Sequence, residues 1–463
     1  MILLPGGHVM FGRKFAEVTC AALLILTAPS VGAADSLSDS LRNAYQNSGL
    51  LVQNRALLRA ADEKVAGAVA ALRPVISWSS KYSYSSAGVG DPNSLVTSLS
   101  ASWLLYDFGQ SDLKTDSLKE TVLTTRQSLR SIEQDVLLRA VNAHMKYRRA
   151  VEFVSLRSAN VELIVQELRA AQDRFEVGEV TRTDVALAEA RLASARAGFA
   201  AAEGDLAKAA AEFQAVVGRK PGNLITPASL PDLPNDVAAA IAMAQANHPA
   251  LKRMQHAVAA SELNLKIAQL SNRFTLSGAA GLKDTDSANG LSRSLSVTAG
   301  GPIYSGGAIA SASRAAMAQR DATRAELHVT RLNIDQLVRN SFVLLDVARA
   351  SGEATDLQIQ AASVAFRGVR EEASLGSRTT LDVLNAEQEL LDARVSRISA
   401  SIDEQIAAYT VLASMGKLTA ASLNLGVKTY NPVEYYNLVK TAPTARSTQG
   451  AALDRVLRGL AGN

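Results

Sequence analysis

The sequence predicts an α+β membrane protein with a tandem internal repeat, in which short strands contribute to a β-barrel and long helices continue it. Three observations support this prediction. A motif recurs at a fixed offset, and apolar and polar residues alternate with period two in two pairs of segments. Two helical segments are far longer than the usual helix of a globular protein. No run of 18 apolar residues follows the first 34 residues, so any transmembrane portion is expected to be a closed barrel.

The composition of the 463-residue chain excludes several classes of protein. A charged fraction of 20% together with 48% hydrophobic residues argues against a disordered chain and against a polytopic helical membrane protein. The 48 Lys and Arg residues exceed the 44 Asp and Glu residues only slightly, and the two signs alternate along the chain. We therefore expect no nucleic-acid partner.

The first 33 residues have the pattern of a signal peptide. Arg13 and Lys14 precede an apolar stretch at residues 18–28, and small residues end the segment. The alternative is a buried N-terminal helix. Cleavage would remove Cys20, the single cysteine, so the exported protein would contain no disulfide.

An eight-residue motif identifies the repeat. Gly178–Val185 recurs as Gly376–Val383, an offset of 198 residues, and the same offset links Gly109 to Gly307. Upstream the offset is 200 residues, as Asn47 and Asn247 show. Matching residues at these two offsets indicate a duplication. The predicted organisation is a signal peptide at 1–33, a first repeat at 34–219, a linker at 220–235, a second repeat at 236–426, and a partly disordered C-terminal tail at 427–463.

Each repeat is predicted to contain one long helix and two shorter ones. The helices are expected at 37–71, 110–175 and 181–217, and again at 236–271, 307–374 and 378–415. At roughly 1.5 Å per residue the long helices would span about 100 Å, which requires packing partners along their length. Two shorter helices placed end to end would flank each long one, and hairpin tips would lie near residues 178 and 376.

Two strand pairs are predicted from their alternation, at 74–106 and at 273–304. Ile76, Trp78 and Tyr82 share one face of the first strand, whereas serines fill the other, as in a lipid-facing, water-lined barrel strand. A half-buried soluble sheet is the alternative. Four strands cannot close a membrane barrel, so several copies must contribute, and eight, twelve or sixteen strands are all compatible with the pattern.

Four segments carry a resemblance to a known family. They are Leu105–Gly109, Pro302–Gly307, Phe175–Gly178 with Thr183 and Asp184, and Leu375–Leu384. Together they resemble the TolC family of outer membrane efflux proteins, over about residues 36–425. The resemblance implies a homotrimeric channel, with four strands per protomer in a twelve-stranded outer-membrane barrel and a long α-helical coiled-coil barrel extending into the periplasm.

The resemblance also implies partners and a transport function. The channel would be a passive conduit, recruited by a periplasmic adaptor (membrane fusion) protein and an inner-membrane RND pump or ABC transporter, and embedded in outer membrane lipid. It would export drugs and toxic compounds, or proteins by type I secretion, through a periplasmic gate. No cofactor and no metal are implied.

Eight residues match the family's functional positions, and two positions depart from them. Val177, Gly178, Leu375 and Gly376 match the hairpin tips on which adaptors dock. Arg378 matches a gate arginine that bonds to the neighbouring hairpin at positions matching Thr183 and Asp184, and Asp382 matches an acidic ring in the pore. Asn385 stands where the family has a second ring aspartate, and Ala373 where it has a tyrosine.

The same residues also have a local structural explanation. Thr181 with Asp184, and Thr379 with Asp382, have the spacing of a capping box at the start of a helix. Glycines at 178 and 376 are the usual residues at helix C-termini. Capping and gating are compatible roles.

The sequence predicts no enzyme. His144, His248, His256 and His328 are too dispersed to form a metal site, and no Walker-type loop is present, so energy for transport must come from a partner. A structural periplasmic coiled-coil protein, or a pump adaptor, is the alternative function, because either would explain the helices without a barrel.

Overall fold

The computed structural model describes residues 35–84, 93–227, 229–286 and 290–461. The predicted signal peptide at 1–33 lies outside the described residues. The first set of elements comprises α1 (Leu37–Asn47), α2 (Gly49–Ala70), β1 (Val75–Tyr84), β2 (Asn93–Tyr106), α3 (Gln110–Glu176) and α4 (Arg182–Val217). The second comprises α5 (Val237–Asn247), α6 (Pro249–Leu270), β3 (Thr275–Thr285), β4 (Ser292–Gly300), α7 (Ala308–Ser374) and α8 (Thr380–Ser414).

The first helix of each set is broken into two, so the predictions of single helices over 37–71 and 236–271 are wrong. Ser48 leaves the helical conformation and its hydroxyl accepts from the Leu51 amide at 3.4 Å. His248 does the same in the second set, where Nδ1 accepts from the Ala250 amide at 3.2 Å. Pro249 then occupies the first turn of α6, where its missing N–H costs nothing.

The two longest helices, α3 and α7, have 67 residues each and provide the framework. Helix α3 packs against α4 towards one end and against α2 and α6 towards the other, while α7 packs against α8, α6 and α5. Each long helix is therefore flanked by shorter helices in succession. Among the helices of the described residues, none is both long enough and apolar enough to cross a lipid bilayer.

The main core lies midway along the long helices. There α1, α5 and the ends of α4 and α8 close around α3 and α7, and burial of apolar surface stabilises the junction. Its fully buried side chains include Leu137, Met145, Leu345, Val411 and Met415. Two smaller clusters pack the hairpins nearer their tips.

The four strands form one antiparallel sheet in the order β1-β2-β3-β4. Residues paired directly across antiparallel strands lie on the same face, so the register identifies both faces. One row runs through Ile76, Ala101, Ala280 and Leu295 and is apolar. The neighbouring row, Ser77, Ser100, Gly281 and Ser294, is polar or small. These two rows have the predicted apolar and polar character in all four strands, whereas Arg293 and Asp284 lie in other rows of the apolar face.

A glycine on β3 makes room for a large aromatic ring. Gly278 pairs with Trp103 of β2, and a Cβ placed on Gly278 would lie 2.7 Å from the Trp103 ring. Contacts this short do not occur in well-packed proteins. The indole therefore lies across β3 because residue 278 has no side chain.

The C-terminal tail contains two helices within the described residues, and the partial disorder predicted for 427–463 stays a prediction. Helices α9 (Pro432–Val439) and α10 (Thr448–Ala461) follow α8. Tyr435, Val439 and Leu453 are buried against Ala66 of α2. The tail folds because this apolar patch of α2 is available to cover it, which its own sequence does not reveal.

Candidate functional site at the hairpin tips

Two helix hairpins, α3–α4 and α7–α8, end in tips of the same construction. Val177 and Leu375 are the C-caps of α3 and α7, and their side chains are 72% and 84% exposed. Gly178 and Gly376 follow with φ of 82° and 75°, the left-handed conformation that glycine adopts without strain. The four residues predicted for adaptor docking therefore lie at the two tips, each led by an exposed apolar side chain.

Each tip is fixed by hydrogen bonds that close the preceding helix. In the first tip, the Gly178 amide donates to Phe175 O at 3.0 Å. In the second, the Gly376 amide donates to Ala373 O at 3.2 Å, and the Ser377 amide donates to Glu372 O at 3.0 Å. These bonds satisfy carbonyl groups that a helix end otherwise leaves unpaired.

The predicted capping boxes are present at the start of both returning helices. The Thr181 amide donates to Asp184 Oδ2 at 2.9 Å, and the Thr379 amide donates to Asp382 Oδ2 at 3.1 Å. Each threonine hydroxyl also donates to the same carboxylate oxygen. These hydrogen bonds, from Thr181 and Thr379 respectively, lower the pKa of Asp184 and Asp382. Both aspartates are therefore ionised at neutral pH and oriented by their own backbone.

Arg378, the predicted gate arginine, forms its ion pair within its own tip. Its Nε lies 2.8 Å from Glu372 Oε2, and both side chains are about half exposed. Within the described protomer it pairs with neither Thr183 nor Asp184, and Thr183 is exposed. A bond between Arg378 and these positions on a neighbouring copy stays a prediction.

Polar contacts connect the two hairpins behind the tips. Asn385 Oδ1 accepts from Arg191 Nη2 of α4 at 2.9 Å, so this predicted pore residue lies at the contact between α4 and α8. Farther along, the buried Asn160 of α3 donates to the buried Glu387 of α8. Burial raises the pKa of Glu387.

A further ion pair joins α3 to α7. Arg370 Nε lies 3.1 Å from Oε1 of Glu167, which is only 8% exposed. Arg174, on the next turns of α3, donates to the carbonyl of Ala373 at 3.3 Å. Ala373 is buried, and its carbonyl accepts this hydrogen bond where the α3–α4 hairpin contacts the α7–α8 hairpin.

The sequence analysis did not identify Asn160, Glu167, Arg370 or Glu387. Each is an ordinary charged or amide residue on a long helix, and its partner lies about 200 residues away in the sequence. The available signal was position, because Glu167 and Arg370 each lie shortly before a tip. This position predicts that Glu167 and Arg370 contact each other only when the two hairpins are known to be adjacent.

Comparison with known proteins agrees with this geometry. The profile of the family described as "Outer membrane efflux protein" matches residues 40–219 and 240–417, once for each set of elements. The chain belongs to this family. The two matches also correspond to the tandem repeat predicted from the sequence.

Individual relatives support the same assignment. The outer membrane efflux protein BepC of Brucella suis biovar 1 (strain 1330) is 34% identical over 434 residues, covering 92% of this chain and 95% of its own. The outer membrane protein TolC of Salmonella enteritidis is 25% identical over 416 residues, or 84% of each chain. The crystal structure of the Campylobacter jejuni CmeC outer membrane channel superposes with a TM-score of 0.75 at 14% identity, covering 87% of this chain and 89% of that chain.

The fold and the family together identify the protein as an outer membrane efflux or type I secretion channel with a periplasmic helical portion. The alternative of a structural coiled-coil protein or a pump adaptor does not account for this membership. The family consists of channel proteins, and the tips are the part of this channel farthest along the hairpins from the sheet.

Proposed function

We propose that the protein is the outer membrane component of a tripartite export assembly and acts as a homotrimer. One protomer supplies four strands, and within the described ranges its two outer strands, β1 and β4, each have one edge without a strand partner. Three copies joined β4 to β1 would close twelve strands, a number sufficient for a membrane barrel. This incomplete sheet is the observation that carries the proposal.

The hairpin tips are proposed as the docking site for a periplasmic adaptor, which would link the channel to an RND pump or an ABC transporter. Val177 and Leu375 expose most of their apolar surface at the two tips. Apolar anchors surrounded by polar residues are typical of protein–protein contacts. A trimer would present six tips in two alternating kinds to the adaptor.

The tips are also proposed to form the gate. Arg378 pairs with Glu372 in the isolated protomer through an exposed contact, which water and a competing carboxylate can replace. We propose that Asp184 of the neighbouring copy competes for this guanidinium in the closed channel. The contacts behind the tips, Arg370 with Glu167 and Asn160 with Glu387, would make the α3–α4 and α7–α8 hairpins of one protomer move together.

The docking proposal is tested by charging the tips. Leu375→Asp and Val177→Asp are expected to abolish resistance to dyes, detergents and antibiotics in a strain lacking the native channel, while trimer assembly is unchanged. Gln172→Asp, at an exposed position on α3 before the tip, is the matched control and should retain resistance. Full resistance in both tip variants would contradict docking at the tips.

Cargo is tested in the same strain. A panel of small toxic compounds and a profile of secreted proteins would be compared with and without the channel. Loss of resistance with unchanged secretion would support efflux of small compounds, and the reverse result would support protein secretion.

A further inference from the structure

A cleft of about 1170 Å³ lies well away from the hairpin tips. It is bounded by α2 and α3, by the linker between the repeats, by the start of α6 and by the segment that follows α8. The volume slightly exceeds the range of about 300–1,000 Å³ that is usual for organic-ligand sites in proteins. Three separate stretches of irregular chain contribute to its wall, so the cleft is formed by the fold and not by one loop.

Five cationic side chains, Arg55, Arg126, Arg130, Lys252 and Lys417, line this cleft, and none of them forms a salt bridge among the described residues. Arg55, Arg126, Arg130 and Lys252 form no side-chain hydrogen bond and no salt bridge among the described residues. Three buried donors of the lining have no hydrogen-bond partner in the part of the chain that the structure describes: Nε of Arg55, Nε of Arg126 and the Tyr430 hydroxyl. Buried donors without acceptors are costly, so a ligand that supplies acceptors would be stabilised here.

The carboxylates near the cleft offset this charge only in part, with Glu133 interacting electrostatically with Arg130 and Arg55, and Asp62 with Arg126. Glu133 accepts from the Ala420 amide at 2.8 Å, and burial raises its pKa. Asp62 is close enough to Arg126 to interact with it electrostatically, and burial raises the pKa of Asp62 to about 6. Asp232 is the remaining acidic residue of the lining. The cleft therefore carries an excess of positive charge.

Aromatic rings hold two of the arginines in place. The Arg55 guanidinium lies 5.3 Å from the Tyr45 ring centre and 5.6 Å from that of Tyr430. Arg126 lies 5.4 Å from the Tyr436 ring centre. Cation–π contacts of this kind restrict the side chain while leaving its N–H groups able to donate. Much of the remaining wall is apolar, including Leu51, Leu123, Leu230, Pro231, Leu423 and Val433.

We propose that this cleft binds an amphipathic organic anion. Its carboxylate would accept from Arg55, Arg126 and Arg130, and its apolar body would pack against the leucine and proline wall. Tyr430 and Val433 belong to the C-terminal segment, so an occupied cleft would also hold that segment against α2. The site is separate from the tips, and its occupation does not depend on the proposed gate.

The test uses the full-length channel in lipid nanodiscs, with binding measured by calorimetry. The probes are 4-phenylbutyrate, its uncharged amide 4-phenylbutanamide, and inorganic phosphate. Saturable binding of 4-phenylbutyrate is expected, with both other probes weaker by about tenfold or more, because charge-assisted hydrogen bonds and apolar burial each contribute. Binding should also slow proteolysis within the tail after Tyr430.

Two variants distinguish binding in the cleft from binding to other cationic surfaces of the protein. Arg130→Gln removes an exposed side chain that forms no hydrogen bond or salt bridge among the described residues and interacts only electrostatically with Glu133, so the fold is retained, and it should weaken binding about tenfold. Arg253→Gln removes an exposed arginine of α6 that does not line the cleft, and binding should not change. Absence of saturable binding, equal binding by Arg130→Gln, or equal affinity for phosphate would each overturn the proposal.

Discussion

At the scale of single residues, Asp62 is a buried carboxylate that destabilises the fold at neutral pH. It is completely buried on α2, and neither carboxylate oxygen has a hydrogen-bond partner among the described residues. Burial raises its pKa from 3.8 to about 6, partly opposed by the charge of Arg126. Below pH 3.8 the carboxyl is neutral in both folded and unfolded chains, and as pH rises towards 6 only the unfolded chain releases the proton freely.

Asp62 should therefore reduce stability as pH rises. Asp62→Asn is expected to raise the free energy of unfolding by about 2–3 kcal/mol at pH 7 and to leave it unchanged near pH 3.5. Thermal denaturation followed by circular dichroism at the two pH values would measure this. Asp112→Asn, which changes an exposed carboxylate on α3, is the control and should show no such difference. A destabilised Asp62→Asn at pH 7 would contradict the argument.

Arg378 leads to a prediction about conductance rather than stability. Arg378→Ala removes one exposed ion pair with Glu372, so the thermal midpoint should barely move. If the arginine closes the gate, single-channel conductance in planar bilayers should rise and cells should become sensitive to large antibiotics. Arg182→Ala, which removes an exposed arginine of the first tip, should behave like the unmodified channel. Unchanged conductance in Arg378→Ala would remove this residue from the gate.

At the scale of elements, the sequence predicted the helices and strands whose formation depends on a local residue pattern. Alternation identified the strands, and proline-free periodic segments identified the long helices to within a few residues. The breaks at Ser48 and His248 were missed because apolar residues continue on both sides. Their signals, a serine cap before Gly49 and a proline after His248, were nevertheless present in the sequence.

Contacts between elements could not be predicted in this way. The capping boxes at Thr181 and Thr379 depend on residues three apart, so spacing alone identified them. The pair of Arg370 and Glu167 depends on how two hairpins are aligned over many turns. A shift of one turn, about 5.4 Å, would separate these side chains, and no local pattern fixes that alignment.

Helix α10 provides a prediction at this scale. Leu453 is 8% exposed and packs with Tyr435 and Val439 against α2. Leu453→Ala should destabilise docking of the tail by about 2 kcal/mol, because a buried side chain is truncated at the edge of a small cluster. Limited proteolysis would show earlier cleavage near residue 445. Val456→Ala, at a position that is 53% exposed on the same helix, should be cleaved like the unmodified protein.

At the scale of the whole molecule, the proposed trimer predicts both the mass of the purified protein and its ability to conduct ions. The purified protein should have three times the mass of one protomer in native mass spectrometry and should conduct ions in bilayers. Gly278→Val would force the Trp103 ring out of its position on β3, so both trimer and conductance should be lost. Ser292→Val, an exposed substitution on β4, should retain both. A conducting Gly278→Val monomer would contradict the proposal.

The open edges of the sheet have a consequence for biogenesis. Before its copies meet, each newly exported chain carries unpaired backbone N–H and C=O groups on β1 and β4, next to exposed Ile76 and Leu295. Such strands pair readily with unrelated chains and aggregate. Closure requires an encounter between three molecules, so its yield should fall steeply at low expression, where chaperones and proteases compete for the waiting chains.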